Sequence, residues 1–110
     1  MYLHRLNNSN VFCSDPPAII TDLNNQTVQL GSDIRFICNA SGNPTPTIRW
    51  YHNDTLIIGQ DGTELVLVNA TQINEGRYQC VAENIVTNTT SNEAFVEIKG
   101  NKVRTTLVTT

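Results

Sequence analysis

Two cysteines 42 residues apart, with the only tryptophan of the chain between them, constrain this sequence more than any other feature. Cys38 and Cys80 each fall on the apolar side of a stretch that alternates apolar and polar residues, and Trp50 does so in a third. Successive side chains of a strand point to opposite faces, so each stretch offers one face to a core and one to solvent. Asp33–Ala40 places Ile34, Phe36, Cys38 and Ala40 inward, and Thr47–His52 places Ile48 and Trp50. Thr63–Val68 adds Leu65 and Leu67, Arg77–Glu83 adds Tyr78, Cys80 and Ala82, and Ala94, Val96 and Ile98 close the set. One sheet alone would leave its apolar face wet, so five such strands call for two sheets packed face to face. The pattern predicts an all-β, two-sheet β-sandwich. A bridge between strands of opposite sheets would cross its core, and closing that loop stabilises by about 4 kcal/mol in the chain-entropy account.

The turns agree with this reading. Gly31-Ser32, Gly42-Asn43-Pro44-Thr45-Pro46, Asn53-Asp54 and Asp61-Gly62 interrupt the alternation where strands must end. The 110 residues suit one domain, placed at residues 17–99 between an amino-terminal arm (1–16) and a linker or tail (100–110). A formal charge of −3 argues against a nucleic-acid partner, which needs a basic face. The apolar runs are too short for direct membrane insertion. Met1–Asn10 lacks the apolar run of a secretory signal, so the chain reads as a piece of a longer secreted or membrane protein.

No Gly-rich phosphate loop, HExxH, CxxC or nucleophile elbow is found. The imidazoles are His4 and His52; His4 and Cys13 sit in an arm unable to hold reactive geometry, and His52 is expected at a solvated strand edge. Neither enzymatic activity nor a metal or cofactor is expected.

Three local runs carry a family resemblance: Phe36 to Pro46 (FICNASGNPTP), Ile48-Arg49-Trp50-Tyr51, and Gly76 to Asn84 (GRYQCVAEN), with Leu65 to Ala70 between them. In this register the sequence resembles the immunoglobulin superfamily, specifically its intermediate (I-set) domains, over Pro17 to Lys99. The resemblance implies a Cys38–Cys80 disulfide, Trp50 packed against it, and Tyr78 bonded to the corner at Asn74-Glu75-Gly76. It implies strands A near Ala18, A′ at Thr27–Gln29, and a short C′ at Leu56–Ile58, besides B, C, E, F and G. Asn74 stands where such domains usually carry an ion-pairing Asp. Leu65 follows Trp50 by only 15 positions, so strand D is expected to be missing or vestigial.

Cys13 is left over. With its neighbours Val11 to Pro17 it resembles the last cysteine of a leucine-rich-repeat carboxy-terminal cap; the plain alternative is an unpaired thiol in the arm. Glycosylation triplets begin at Asn7, Asn25, Asn39, Asn53, Asn69 and Asn88. Occupied, they imply an extracellular location. Asn39 points outward from strand B, whereas the outward positions of strands C, F and G contain no triplet. Arg49, Tyr51, Arg77, Val81 and Phe95 on those strands form the expected partner face, with the aromatic and arginine composition favoured at interface cores. The expected function is an extracellular recognition module of a receptor, adhesion or matrix protein, binding a protein ligand or a second copy. A structural spacer, or an intracellular I-set domain of a muscle-type scaffold, are the alternatives.

Overall fold

The computed structural model describes residues 14–100. His4, Asn7 and Cys13, and with them the repeat-cap reading, lie outside those residues. Among the described residues ten strands follow one another: β1 (Asp15–Ile19), β2 (Gln26–Gln29), β3 (Ile34–Ile37), β4 (Ala40–Asn43), β5 (Thr47–His52), β6 (Thr55–Asp61), β7 (Glu64–Leu67), β8 (Gly76–Glu83), β9 (Asn88–Thr90) and β10 (Ala94–Lys99). They make a two-layered β-sandwich. The broad layer runs β2-β10-β8-β5-β6, with β9 also paired to β8. Within it only the β2–β10 pairing is parallel. The opposite layer consists of two antiparallel ladders, β1 with β4 and β3 with β7.

The period-2 reading of the core holds. Ile34, Phe36, Cys38, Ile48, Trp50, Leu65, Tyr78, Cys80, Ala82, Ala94, Val96 and Ile98 are buried, and Ala40 and Leu67 pack partly buried against them. Leu23, Val28 and Ala70 join from connecting segments and β2. Each large side chain so withdrawn from water contributes about 1.5–3 kcal/mol relative to exposure.

Several boundaries differ from the sequence reading. Strand B divides at Cys38-Asn39 because it changes partner there: β3 pairs with β7, while β4 pairs with β1. The break is bridged by Cys38 N–H donating to the Thr63 carbonyl at 2.7 Å and Asn39 N–H donating to Thr21 Oγ1 at 2.9 Å. β1 opens at Asp15, opposite Asn43, so the sandwich takes in two residues assigned to the arm. β6 is longer than the expected Leu56–Ile58 and reaches β7 through Gly62-Thr63 alone. No strand stands between them among the described residues, as the short Trp50–Leu65 spacing predicts.

Candidate functional site

The site is built on a rigid centre. A disulfide joins Cys38 to Cys80 with Cα atoms 6.5 Å apart, linking the two layers. Trp50 Nε1–H donates to the Gly62 carbonyl at 2.9 Å, so the buried indole keeps its polar atom satisfied. The Phe36 ring lies 6.2 Å from Trp50 and 5.4 Å from Tyr78. Tyr78 donates its hydroxyl to the Asn74 carbonyl at 2.5 Å, which anchors the corner before β8. Burial, which penalises the phenolate, pushes that hydroxyl up to about 12. The Asn74 side chain closes a single 3₁₀ turn, Gln72–Asn74, by accepting from Thr71 N–H at 2.8 Å.

His52 departs from expectation. It stacks on Tyr78 at 4.5 Å, half-buried, with Nε2 2.9 Å from the Glu75 carbonyl. The alternation that turns Trp50 inward turns His52 inward too, so it closes the core's lower end instead of lying at a solvated edge. Gly76 makes this corner possible: a Cβ there would lie 2.7 Å from Asn53 Oδ1 and 2.8 Å from His52 Nε2.

The outer surface of the broad layer is ordered by the β5–β6 turn. Asn53 (φ 50°) and Asp54 (φ 69°) both adopt the left-handed conformation that a two-residue hairpin turn demands, and they set Tyr51 opposite Leu56. Leu56, Tyr51 and Gln79 therefore form one row across β6, β5 and β8, and Arg49, Val81 and Thr90 another across β5, β8 and β9. Phe95 lies opposite Arg77 at the β10 side. All five predicted face residues share this surface, but Arg77 and Gln79 of β8 stand between Tyr51 and Phe95. Phe95 is 48% exposed and Leu56 41%, while Tyr51 and Val81 are half-buried. The arginines are neutralised within the surface. Arg77 Nη2 meets Asp54 at 2.6 Å and its Nε meets Glu93 at 3.6 Å, and Arg49 meets Glu83 at 3.0 Å. Leu56 was missed as a member of this face, although the Asn53-Asp54 turn signals its register.

The outward positions of β5, β8 and β10 contain no triplet, but three triplets lie close beside this surface. Because β2 pairs with β10, Asn25 adjoins the broad layer, where its Oδ1 accepts the Phe95 N–H at 2.9 Å. Asn88 begins β9 on the same layer, and Asn53 forms the turn at its lower end, accepting Arg77 N–H at 3.0 Å. Three triplets thus rim a surface whose outward strand positions on β5, β8 and β10 contain none. Asn69 follows β7 at φ 55°, and Asn39 is exposed on the opposite layer.

Among the described residues, no group of three or more His, Cys, Asp or Glu is placed to hold a metal, and no helix is long and apolar enough to cross a membrane.

Comparison with known proteins fits this geometry. A family model described as an immunoglobulin domain matches residues 16–84. The chain is 41% identical over 68 residues to human Contactin-1, an alignment covering 62% of this chain and 6% of that protein. It is 33% identical over 87 residues to the rat Netrin receptor DCC, covering 74% and 6%. It is 38% identical over 77 residues to Drosophila melanogaster Titin, covering 62% of this chain and a share of Titin that rounds to 0%. The chain thus spans only a small part of the curated relatives it matches. Among solved structures, the tandem Ig repeats of Dlar superpose with a TM-score of 0.72 at 28% identity, over 76% of this chain and 48% of that one. A buried inter-layer disulfide against Trp50, a tyrosine-anchored corner and a family match over more than half of the sequence lead to one conclusion: the chain belongs to the immunoglobulin domain family.

Proposed function

We propose that this domain is an extracellular recognition module of the I-set type, docking a protein on the outer surface of its broad layer. The observation that carries the reading is the uncharged stripe Leu56, Tyr51, Gln79 and Val81, whose flanking arginines are already paired within the same surface. Such a stripe sheds water at little electrostatic cost, because no unpaired charge has to be desolvated. The disulfide-linked centre holds the strands rigid, so little conformational entropy is lost on binding. The extracellular setting is supported by the Cys38–Cys80 bridge, by the triplets, and by relatives such as the Netrin receptor DCC. Replacing Tyr51 and Leu56 with Ser in the parent protein, presented as a tetramer, is expected to cut binding to cells at least tenfold, as losing a centrally placed aromatic anchor does. Unchanged binding sinks the face.

The likeness to Titin favours a second reading, in which the domain serves an intracellular scaffold with Cys38 and Cys80 reduced. Thiol labelling of protein from its own cells separates the two, since labelled Cys38 and Cys80 select the scaffold.

A further inference from the structure

The outer surface of the opposite layer carries two exposed isoleucines, Ile20 at 67% and Ile37 at 50%. Ala18 pairs with Ser41 and Ile19 with Ala40. Ile20 N–H donating to the Asn39 carbonyl at 2.9 Å extends that register by one pair. Ile19 and Ala40 face the core, so Ile20 and Asn39 are cross-strand partners facing outward. Ile37 precedes Asn39 by two positions in the same strand direction and shares its face. Cross-strand neighbours lie about 5 Å apart and alternate residues about 7 Å apart, so both isoleucines come within one sugar ring of the Asn39 amide. Ser41, the third residue of the triplet, is exposed on that same face.

Among the described residues the Asn39 side chain makes no hydrogen bond, unlike those of Asn25 and Asn53, which hold backbone N–H groups of β10 and β8. An acceptor free of structural work therefore sits between two apolar side chains that water wets at a cost. We propose that Asn39 carries an N-linked glycan whose first sugars lie over Ile20 and Ile37, their ring C–H faces covering the isoleucines. The proposal rests on the extracellular reading above.

The test uses the full chain secreted behind a signal peptide from mammalian cells, with each triplet scored by glycopeptide mass spectrometry. Occupied Asn39 is expected in most molecules. Asn39→Gln and Ser41→Ala, which abolish the site by different routes, are each expected to lower Tm by about 4 °C and to increase binding of a hydrophobic dye. In an Ile20→Thr, Ile37→Thr background the same two substitutions are expected to shift Tm by less than about 1 °C. An empty Asn39 in the secreted chain, or equal losses in both backgrounds, overturns the cover. An Asn39 bare in protein from its own cells but occupied in the secreted chain overturns the extracellular reading, and the glycan with it.

Discussion

The corner beneath β8 and the outer surface of β3 and β4 put their polar groups to opposite uses. At the corner nearly every polar side chain is spent on the fold: Tyr78 holds the Asn74 carbonyl, Asn53 holds Arg77 N–H, His52 meets the Glu75 carbonyl, and Glu75 Oε2 accepts the Ile98 N–H at 3.3 Å. Across β3 and β4 the backbone is held by the β7 and β1 ladders and, at the break between them, by Thr21 Oγ1, while among the described residues the exposed Asn39 side chain holds nothing and Ser41 is exposed. Residues of the first kind are poor material for recognition or modification, because a partner must first break bonds the fold needs. Residues of the second kind are available at no such cost.

The disulfide links the two regions, and losing it should separate them most. Replacing Cys38 and Cys80 together by Ala is expected to cost about 4 kcal/mol in denaturant unfolding, the loop-closure value for a separation of this order. Hydrogen exchange on that variant should show the amides of β3 and β4 opening before those of β8. Simultaneous opening would mean that the contrast is one of chemistry and not of stability.

Gly76→Ala probes the corner alone. Its Cβ would be driven into Asn53 and His52 at a backbone φ of 140°, and a loss of about 2 kcal/mol or more is expected. Gly31→Ala makes a matched control: it also has positive φ but open space around it, so only the conformational strain should register. Equal losses would show that crowding at the corner is not what matters.

Tyr78→Phe removes one hydroxyl and its bond, for an expected loss of about 1 kcal/mol at neutral pH. The alkaline limb gives an independent reading. Folding raises the Tyr78 hydroxyl from its ordinary value near 10 to about 12, so the neutral form favours the folded state. That contribution is complete below pH 10 and is lost as pH rises from 10 through 12. The phenylalanine variant should lack this part of the alkaline decline, and an identical decline in both proteins would remove Tyr78 as its source.

The smallest effects concern the ion pairs. Arg35 with Glu64 on the opposite layer and Arg49 with Glu83 on the broad layer are both about half exposed, and replacing either arginine with Gln should cost under about 0.5 kcal/mol. Arg77, more buried and flanked by two carboxylates, should cost more than either. A ranking by thermal unfolding that puts Arg77 last would contradict the corner's tighter construction.

The core was legible because burial in a strand has period two, and Cys38, Trp50, Tyr78 and Cys80 obey it without exception. His52 obeys it as well, but a polar residue at an inward position reads as an edge until Tyr78 is seen stacked beneath it. Leu56 was legible in principle, since Asn-Asp in a two-residue turn fixes the register back to Tyr51. The company of Asn25 was not. It depends on the parallel pairing of β2 with β10, which joins residues some 70 positions apart and leaves no local mark in either segment. The division of strand B at Asn39 was hidden for a similar reason, because it records a change of partner and not a change of composition.

That parallel pairing also has a mechanical meaning. β1 begins beside Asn43 at one end of the sandwich, while β10 finishes beside Gln29 at the other, where Leu30 N–H meets the Lys99 carbonyl at 2.8 Å. Tension applied across the domain pulls β2 and β10 past each other along their length, so the ladder from Val96 and Gln26 to Lys99 and Gln29 is loaded in shear and its bonds must yield together. β1 is loaded along its length too, but its ladder with β4 changes register between Asp15 and Ala18, so fewer aligned bonds share the load. Under load the first ladder acts as the lock and the second as slack.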